Sequence, residues 1–440
     1  MNSPDLFIGL ALIIGFVIFG VAALQVTQQH RNTLDFQIRL FLYALVARFA
    51  ASIVIYQFGL VKILGDEDAT GWYGGVLLNR KWQQQGVGIF DLPGILAGAF
   101  EGTNRGYHFL VGTMFYITGE PDRMVAAALN CFLGAITVVF VYRIALSLFS
   151  WWTATYAGWL ACFFPSLIIW SAQTVKEPVV IFLETVALYA CVHLKIRGFA
   201  LRYILLCVTA VIFLLPFRFY AAYLAGAAAM AALVIPQIGK RKSSIFSAIA
   251  VSALIVPIVI SSGMLARSEA QFERFSQIKE IEKFKVNIAA GAGSGVNTRY
   301  DLNSPTGLIT GTAVGAAHLL LAPFPWQLGG ASLRMALVAP ELLVWWWLVF
   351  VGLIPGMWYC IRTRFSEIQP MLFFILGLGL LYSMMFGNIG LIVRQRAQIL
   401  PWLLIIAVVG LEQRSIRRLT KKNGQTKYTA VVPVKQVQQS

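Results

Sequence analysis

The stretch "FPSLIIWSAQTVKEPVVIFLETVALY", residues 164–189, decides how the rest of the chain is read. Two apolar runs flank a short polar turn, and Pro178 suits the first turn of a new helix, where its missing N–H leaves no bond unmade. Lys176 and Glu177 therefore belong to a turn between two helices. Glu184 follows Glu177 by seven residues, two turns deeper on the same helical face. An acid inside an apolar span is costly and faces either an aqueous cavity or a charged partner. Lys176 is the partner that spacing offers.

The apolar pattern around this turn recurs along all 440 residues, of which 58% are hydrophobic and 12% charged. That charged fraction is about half that of soluble domains. Runs of roughly 18 or more apolar residues are each long enough to cross about 30 Å of hydrocarbon. Eleven spans are expected, near 6–25, 39–63, 124–148, 154–172, 178–194, 201–216, 218–238, 245–262, 340–361, 370–387 and 398–411. The chain thus reads as an all-α polytopic membrane protein. Its five cysteines (Cys131, Cys162, Cys191, Cys207 and Cys360) fall inside the spans without paired spacing, which argues against a disulfide framework and a zinc site. The N-terminal "MNSPDLF" lacks the basic residues of a signal peptide, so the first span is expected to be retained.

The net charge of +16 then orients the protein and does not signal nucleic acid. The connections "QQHRNTLDFQIR", "KIRGFALR", "GKRKSS" and "IRTRFSE" and the tail "EQRSIRRLTKKNGQTK" are basic with few acids. By the positive-inside rule they are cytoplasmic, which puts the N-terminus outside and the C-terminus inside. Two N-terminal helices (1–63) precede a first extracytoplasmic loop (64–123). A helix bundle (124–262), a second extracytoplasmic segment (263–339), C-terminal helices (340–411) and a basic tail (412–440) follow. The first loop carries aromatic-rich stretches suited to interfacial helices. In the second, 266–287 reads as a solvated helix and 289–305 as a mobile loop. "TGLITGTAVGAAHLLLAPFPW" (306–326) is expected to be partly buried or re-entrant, because a full crossing would misplace the charges on one side. The "GAGSG" run has no preceding strand and does not read as a nucleotide loop.

Candidate chemistry gathers on the outer side. "LGDEDATGWYGG" (64–75) concentrates Asp66, Glu67 and Asp68 at the mouth of the second span. "LLPFRFYAAY" (214–223) places Arg218 at an outer tight turn, and "FGNIGLIVRQRAQILPW" (386–402) supplies Arg394 and Arg396. Side chains two apart on a helix diverge, so either that last segment is not helical or its two arginines serve different neighbours. With Lys176 these cations suit a phosphate, since arginine binds phosphate bidentately. The carboxylates suit proton abstraction or metal binding. Together they fit glycosyl transfer, in which a carboxylate deprotonates an acceptor hydroxyl while fixed cations meet the charge on a leaving phosphate. With no cytosolic domain for a nucleotide sugar, a donor reaching this face is most simply lipid-linked.

With these residues placed, the chain resembles the GT-C superfamily of membrane glycosyltransferases. It is most similar to the bacterial branch of protein mannosyltransferases and aminoarabinose transferases, over roughly residues 40–235 and more loosely over the last two spans. "GDEDATGWYGG" resembles the family's first-loop acid motif. "RMVAAALNCFLGA" approximates its "R-x-x-N-x-x-x-G" span, and "FPSLIIWSAQTVKEP" its proline-initiated outer turn. The resemblance implies a helical bundle with an outer cavity and an inverting enzyme of the bacterial plasma membrane, using a polyprenyl-phosphate-linked sugar. The acceptor would be a glycan, lipid or protein of the cell envelope. It implies Asp68 as base, with Asp66 next in line and Glu67 beside them. Lys176, Arg218, Arg394 and Arg396 would hold the donor phosphate, supported by Glu177, Glu184 and His108. No cofactor is required on this reading, although Asp66 and Asp68 offer a divalent-cation site for Mg²⁺ or Mn²⁺. Three departures stand out: an extra span before the loop, Trp72 or Tyr73 in place of the family's tyrosine, and the lack of a large C-terminal soluble domain. The rival readings are an O-antigen-type polymerase or ligase handling lipid pyrophosphate with arginines, and a transporter or flippase centred on Glu184.

Overall fold

The structure, a computed structural model, describes residues 6–28, 31–64, 71–88, 98–101, 105–198, 200–234, 241–261, 304–327, 333–385 and 387–422, with a few isolated positions between them. The acid motif and most of 262–303 lie outside the described residues. Helices make up nearly all of what is described, and no strand occurs among the described residues. Eight helices are long and apolar enough to cross a membrane, nine if one bent pair counts as a span.

In chain order the helices are α1 (Leu6–Thr27), α2 (Leu34–Gln57), α3 (Trp72–Gln84), α4 (Gly106–Thr118), α5 (Arg123–Leu148), α6 (Trp151–Phe163) and α7 (Pro165–Ser171). They continue with α8 (Glu177–Arg197), α9 (Leu201–Val234), α10 (Arg241–Ser261), α11 (Pro305–Leu321) and α12 (Leu333–Trp347). A π-helical turn, Leu348–Leu353, joins α12 to α13 (Ile354–Thr363), before α14 (Phe365–Met384) and α15 (Ile389–Lys422). The centre of the bundle is α5, buried on nearly every side, with α2, α6 and α8 against it. α1 lies at the periphery and presents Phe7 (79% exposed) and Ile18 (67%) outward. In water such a face would be an association surface. On a helix this apolar, it is the face turned to lipid.

Two breaks in regular helix shape the bundle. The first separates α6 from α7, which meet at 52° where Pro165 interrupts the hydrogen-bond ladder. Backbone groups freed inside hydrocarbon must find new partners. Arg48 of α2 supplies them at the end of α6, donating from Nη1 to Cys162 O (3.0 Å) and from Nη2 to Ala161 O (3.1 Å). Glu341 serves the start of α7, accepting from Ser166 N at 2.7 Å and from the Ser166 hydroxyl.

The second break reverses α9. Arg218 takes an extended conformation (φ −158°, ψ 81°) inside an otherwise helical run. Val211 and Gly226 would stand about 22 Å apart on a straight helix, yet a Cβ at Gly226 would lie 3.8 Å from Val211 Cγ1. Cys191 of α8 contacts Ala229 O, while Tyr189 meets the Tyr203 ring edge-on. Both legs therefore run along α8. α9 is a helical hairpin with Arg218 at its tip, as the sequence led us to expect. At 1.5 Å per residue each leg is roughly 25 Å long.

α3 and α4 pack on one another near one end of the bundle, where the start of α4 abuts Pro216 of the hairpin. α11 is only partly embedded in the bundle. Its exposed first turns lead to Gly315, whose missing side chain lets it press on Ser383 O, and to Leu319 beside Gly379. Trp345 and Trp346 of α12 donate from Nε1 to the carbonyls of Leu320 and Leu321, which holds its last turn.

Candidate functional site

The site is built at the end of the bundle where α2 finishes and α8 begins. Its platform is the turn 172–176, whose backbone groups are held by side chains from two helices. Asn130 Nδ2 of α5 donates to Gln173 O (2.6 Å) and Val175 O (2.8 Å) and lies 2.9 Å from the Tyr107 hydroxyl. The Tyr56 hydroxyl accepts from Thr174 N at 3.1 Å. Buried backbone groups need such partners, and here they fix the direction in which Lys176 and Glu177 leave the turn.

Glu177 is fully buried (0% exposed) and joins two arginines from distant parts of the chain. Its Oε1 accepts from Arg218 Nη2 at 2.9 Å and its Oε2 from Arg394 Nη2 at 2.6 Å. Arg218 comes from the hairpin tip and Arg394 from the second turn of α15. Arg218 Nη1 also donates to the Tyr382 hydroxyl at 2.8 Å. The Gln398 amide satisfies its neighbours with its oxygen toward Arg218 and its nitrogen donating to Glu184 Oε1 at 3.0 Å. Arg218 lies over Tyr220 and Arg394 over Trp170, so each guanidinium also meets an aromatic face.

Two arginines on one carboxylate leave the group cationic before Lys176 is counted. Lys176 is half-buried, and among the described residues no hydrogen bond or ion pair reaches its ammonium. Removal from water, Arg218 and Arg394 together outweigh the help of Glu177 and push its pKa down to about 7. His108 of α4 faces the same cation. Burial, Lys176 and Arg105 hold its imidazole below the usual range. Tyr107, one residue before, is pushed up by burial and by the nearby Glu177 charge.

Of the residues singled out from sequence, Lys176, Glu177, Glu184, Arg218 and Arg394 share this cluster, with His108 at its edge. Glu184 is corrected in one respect: its hydrogen-bond neighbour is Gln398 and not Lys176. Arg396 stands apart. It projects from nearly the opposite side of the helix from Arg394, donates to Ala322 O (2.9 Å) and Leu320 O (3.4 Å), and lies over the Trp345 ring. Residues 389–422 are helical, so the two arginines serve different neighbours. Asp66, Glu67 and Asp68 lie outside the described residues. Gly71, three positions after Asp68, packs against the Tyr107 ring so closely that a Cβ would fall 2.2 Å from Cδ1. Arg123 lies 4.5 Å over the Trp72 ring on the same side.

Tyr382, Gln398 and Asn130 were not anticipated as parts of the site. Their signal in the sequence is faint: single polar residues inside apolar spans, with Asn130 the asparagine of "NCFLG", seven residues after Arg123. Among the described residues no three His, Cys, Asp or Glu side chains gather as metal ligands would. Comparison with family models and with curated proteins found no match.

Proposed function

We propose that the chain is an integral-membrane glycosyltransferase of the bacterial plasma membrane. It moves a sugar from a polyprenyl-phosphate donor to a glycan, lipid or protein acceptor on the extracytoplasmic face. The observation that carries this reading is the cationic group of Arg218, Arg394 and Lys176 around one fully buried carboxylate at one end of the bundle. The opposite end carries Arg39, Lys195, Arg197, Arg202, Arg362 and Arg364, which the positive-inside rule assigns to the cytoplasm. On that orientation the cluster faces outward. Counting the α9 legs separately, the bent α6–α7 pair as one span and α12–α13 as one, the proposed topology has eleven crossings with the N-terminus outside.

In the proposed reaction Asp68, or Asp66 beside it, takes the proton from an acceptor hydroxyl. The oxygen attacks the anomeric carbon, the bond from that carbon to the phosphate oxygen breaks, and the configuration inverts. Charge left on the phosphate is met by Arg218 and Arg394, which Glu177 holds in place without solvent reorganisation. A divalent cation, if the Asp66/Asp68 pair holds one, would supply Lewis-acid chemistry there. The arginine-centred character of the described cluster also favours a second reading, a polymerase or ligase that handles lipid pyrophosphate.

The two are separated with purified protein in nanodiscs, radiolabelled polyprenyl-phosphate sugars and a membrane-extract acceptor pool. Asp68→Asn should cut transfer by about 10²–10⁴-fold if it is the base. Transfer untouched by Asp68→Asn and Asp66→Asn, but abolished by Arg394→Gln, would move the assignment to the polymerase or ligase.

A further inference from the structure

The cation beside Glu177 has its own chemistry. Glu177 is already saturated by Arg218 (2.9 Å) and Arg394 (2.6 Å), so its negative charge is spent on other partners. Lys176 stands next to it on a pinned turn, half-buried, with no hydrogen bond or ion pair among the described residues. Among the described residues, the groups that face it are Glu177 beside it in the chain, Arg218 from the hairpin tip, Arg394 from α15 and His108 from α4. Three of these four are cationic or cationic when protonated. An ammonium placed here repels its neighbours until an anion arrives.

We propose that Lys176 takes up a proton when a phosphate anion docks beside Arg218 and Arg394, so that pH sets how firmly the site holds that anion. The proposal rests on the reading of this cluster as a lipid-phosphate site. The proton comes from solvent, no covalent bond changes, and the docked phosphate becomes a counterion that Lys176 lacks among the described residues. The amine of the free site is half-protonated near pH 7, whereas an ammonium paired with phosphate keeps its proton to well above that. The consequence concerns turnover. The donor phosphodiester carries one negative charge, and the monoester left after transfer reaches two. A protonated Lys176 therefore favours the product, and losing that proton favours its release.

Calorimetric titration of the full-length protein in nanodiscs tests this. The probe is a short-chain prenyl methyl phosphodiester, whose own charge is constant across the range. Buffers of different ionisation enthalpy at one pH count the protons exchanged. Wild type should take up close to one proton per probe at pH 8, and its affinity should fall about 30-fold between pH 6 and pH 8.5. Lys176→Arg should bind with no proton uptake and a flat pH profile, since its guanidinium stays charged. Lys176→Met should also take up none, and bind at every pH about as weakly as wild type does at pH 8.5. His108→Gln should keep the uptake. Wild-type binding without uptake, or uptake that persists in Lys176→Arg or Lys176→Met, overturns the role given to the lysine alone. Failure of wild type to bind the probe at any pH overturns the phosphate-site reading itself.

Discussion

Two glutamates, seven residues apart on α8, show how differently one side chain behaves in two settings. Glu177 meets two guanidinium groups, and its removal takes a buried counter-charge from both. Glu177→Gln should therefore destabilise the protein by about 3–5 kcal/mol, the usual cost of breaking a buried ion pair. Glu184 has one amide neighbour, Gln398, and its Oε2 has no hydrogen-bond partner among the described residues. Glu184→Gln keeps the acceptor that Gln398 uses and should cost under about 1 kcal/mol. Thermal melting followed by size exclusion would rank the two variants. Lys176 adds a pH dependence with a definite sign. Its pKa is lowered on folding, so between about 7 and the usual lysine range the unfolded chain binds more protons. Native stability then rises with pH across that window, and the penalty is fully present below it. The melting-temperature advantage of Lys176→Met over wild type should accordingly shrink as pH is raised from 6 to 9.

Among the elements, the broken pair α6–α7 depends most on side chains. Arg48 crosses from α2 to satisfy the two carbonyls that the break exposes. Its long side chain fits because position 134 on α5 is glycine. A Cβ there would lie 2.8 Å from both Arg48 Nε and Ser171 Cβ. Gly134→Ala should cost about 1–3 kcal/mol through overpacking, read as a lower melting temperature. These features differ in how visible they are in the sequence. Pro178 as a helix start and Arg218 as a hairpin tip were legible, because proline chemistry and a polar residue amid apolar ones are local signals. Pro165 was equally visible, but 154–172 reads as one uninterrupted span. Its interior break stays hidden until Arg48 and Glu341, far away in the chain, are seen to stabilise it. The pairing of Glu177 with Arg394 was beyond any local signal, since 217 residues separate them.

For the whole molecule the outstanding question is orientation. Hydropathy made the class legible, and the eleven proposed crossings exceed the eight long apolar helices where α9 folds back, where the bent α6–α7 pair is counted and where α10 is counted. The five native cysteines are all buried, so a membrane-impermeant maleimide should leave wild-type cells unlabelled. Gln83→Cys, on the exposed side of α3, should label in intact cells. Arg362→Cys, at the far end of α13, should label only after permeabilisation. The reverse pattern would invert the topology and move the cationic cluster to the cytoplasm.

The spacing of the cluster along the chain carries a consequence for biosynthesis. Arg218 leaves the ribosome 41 residues after Glu177, whereas Arg394 leaves 217 residues after it. When α8 and the α9 hairpin enter the translocon, their opposite charges cancel, which eases the passage of an arginine-tipped hairpin into lipid. Only with the final helix does the second guanidinium reach Glu177. A nascent chain halted before α15 therefore has a neutral Glu177–Arg218 pair with Lys176 beside it, and the excess of guanidinium over carboxylate is complete only when synthesis ends.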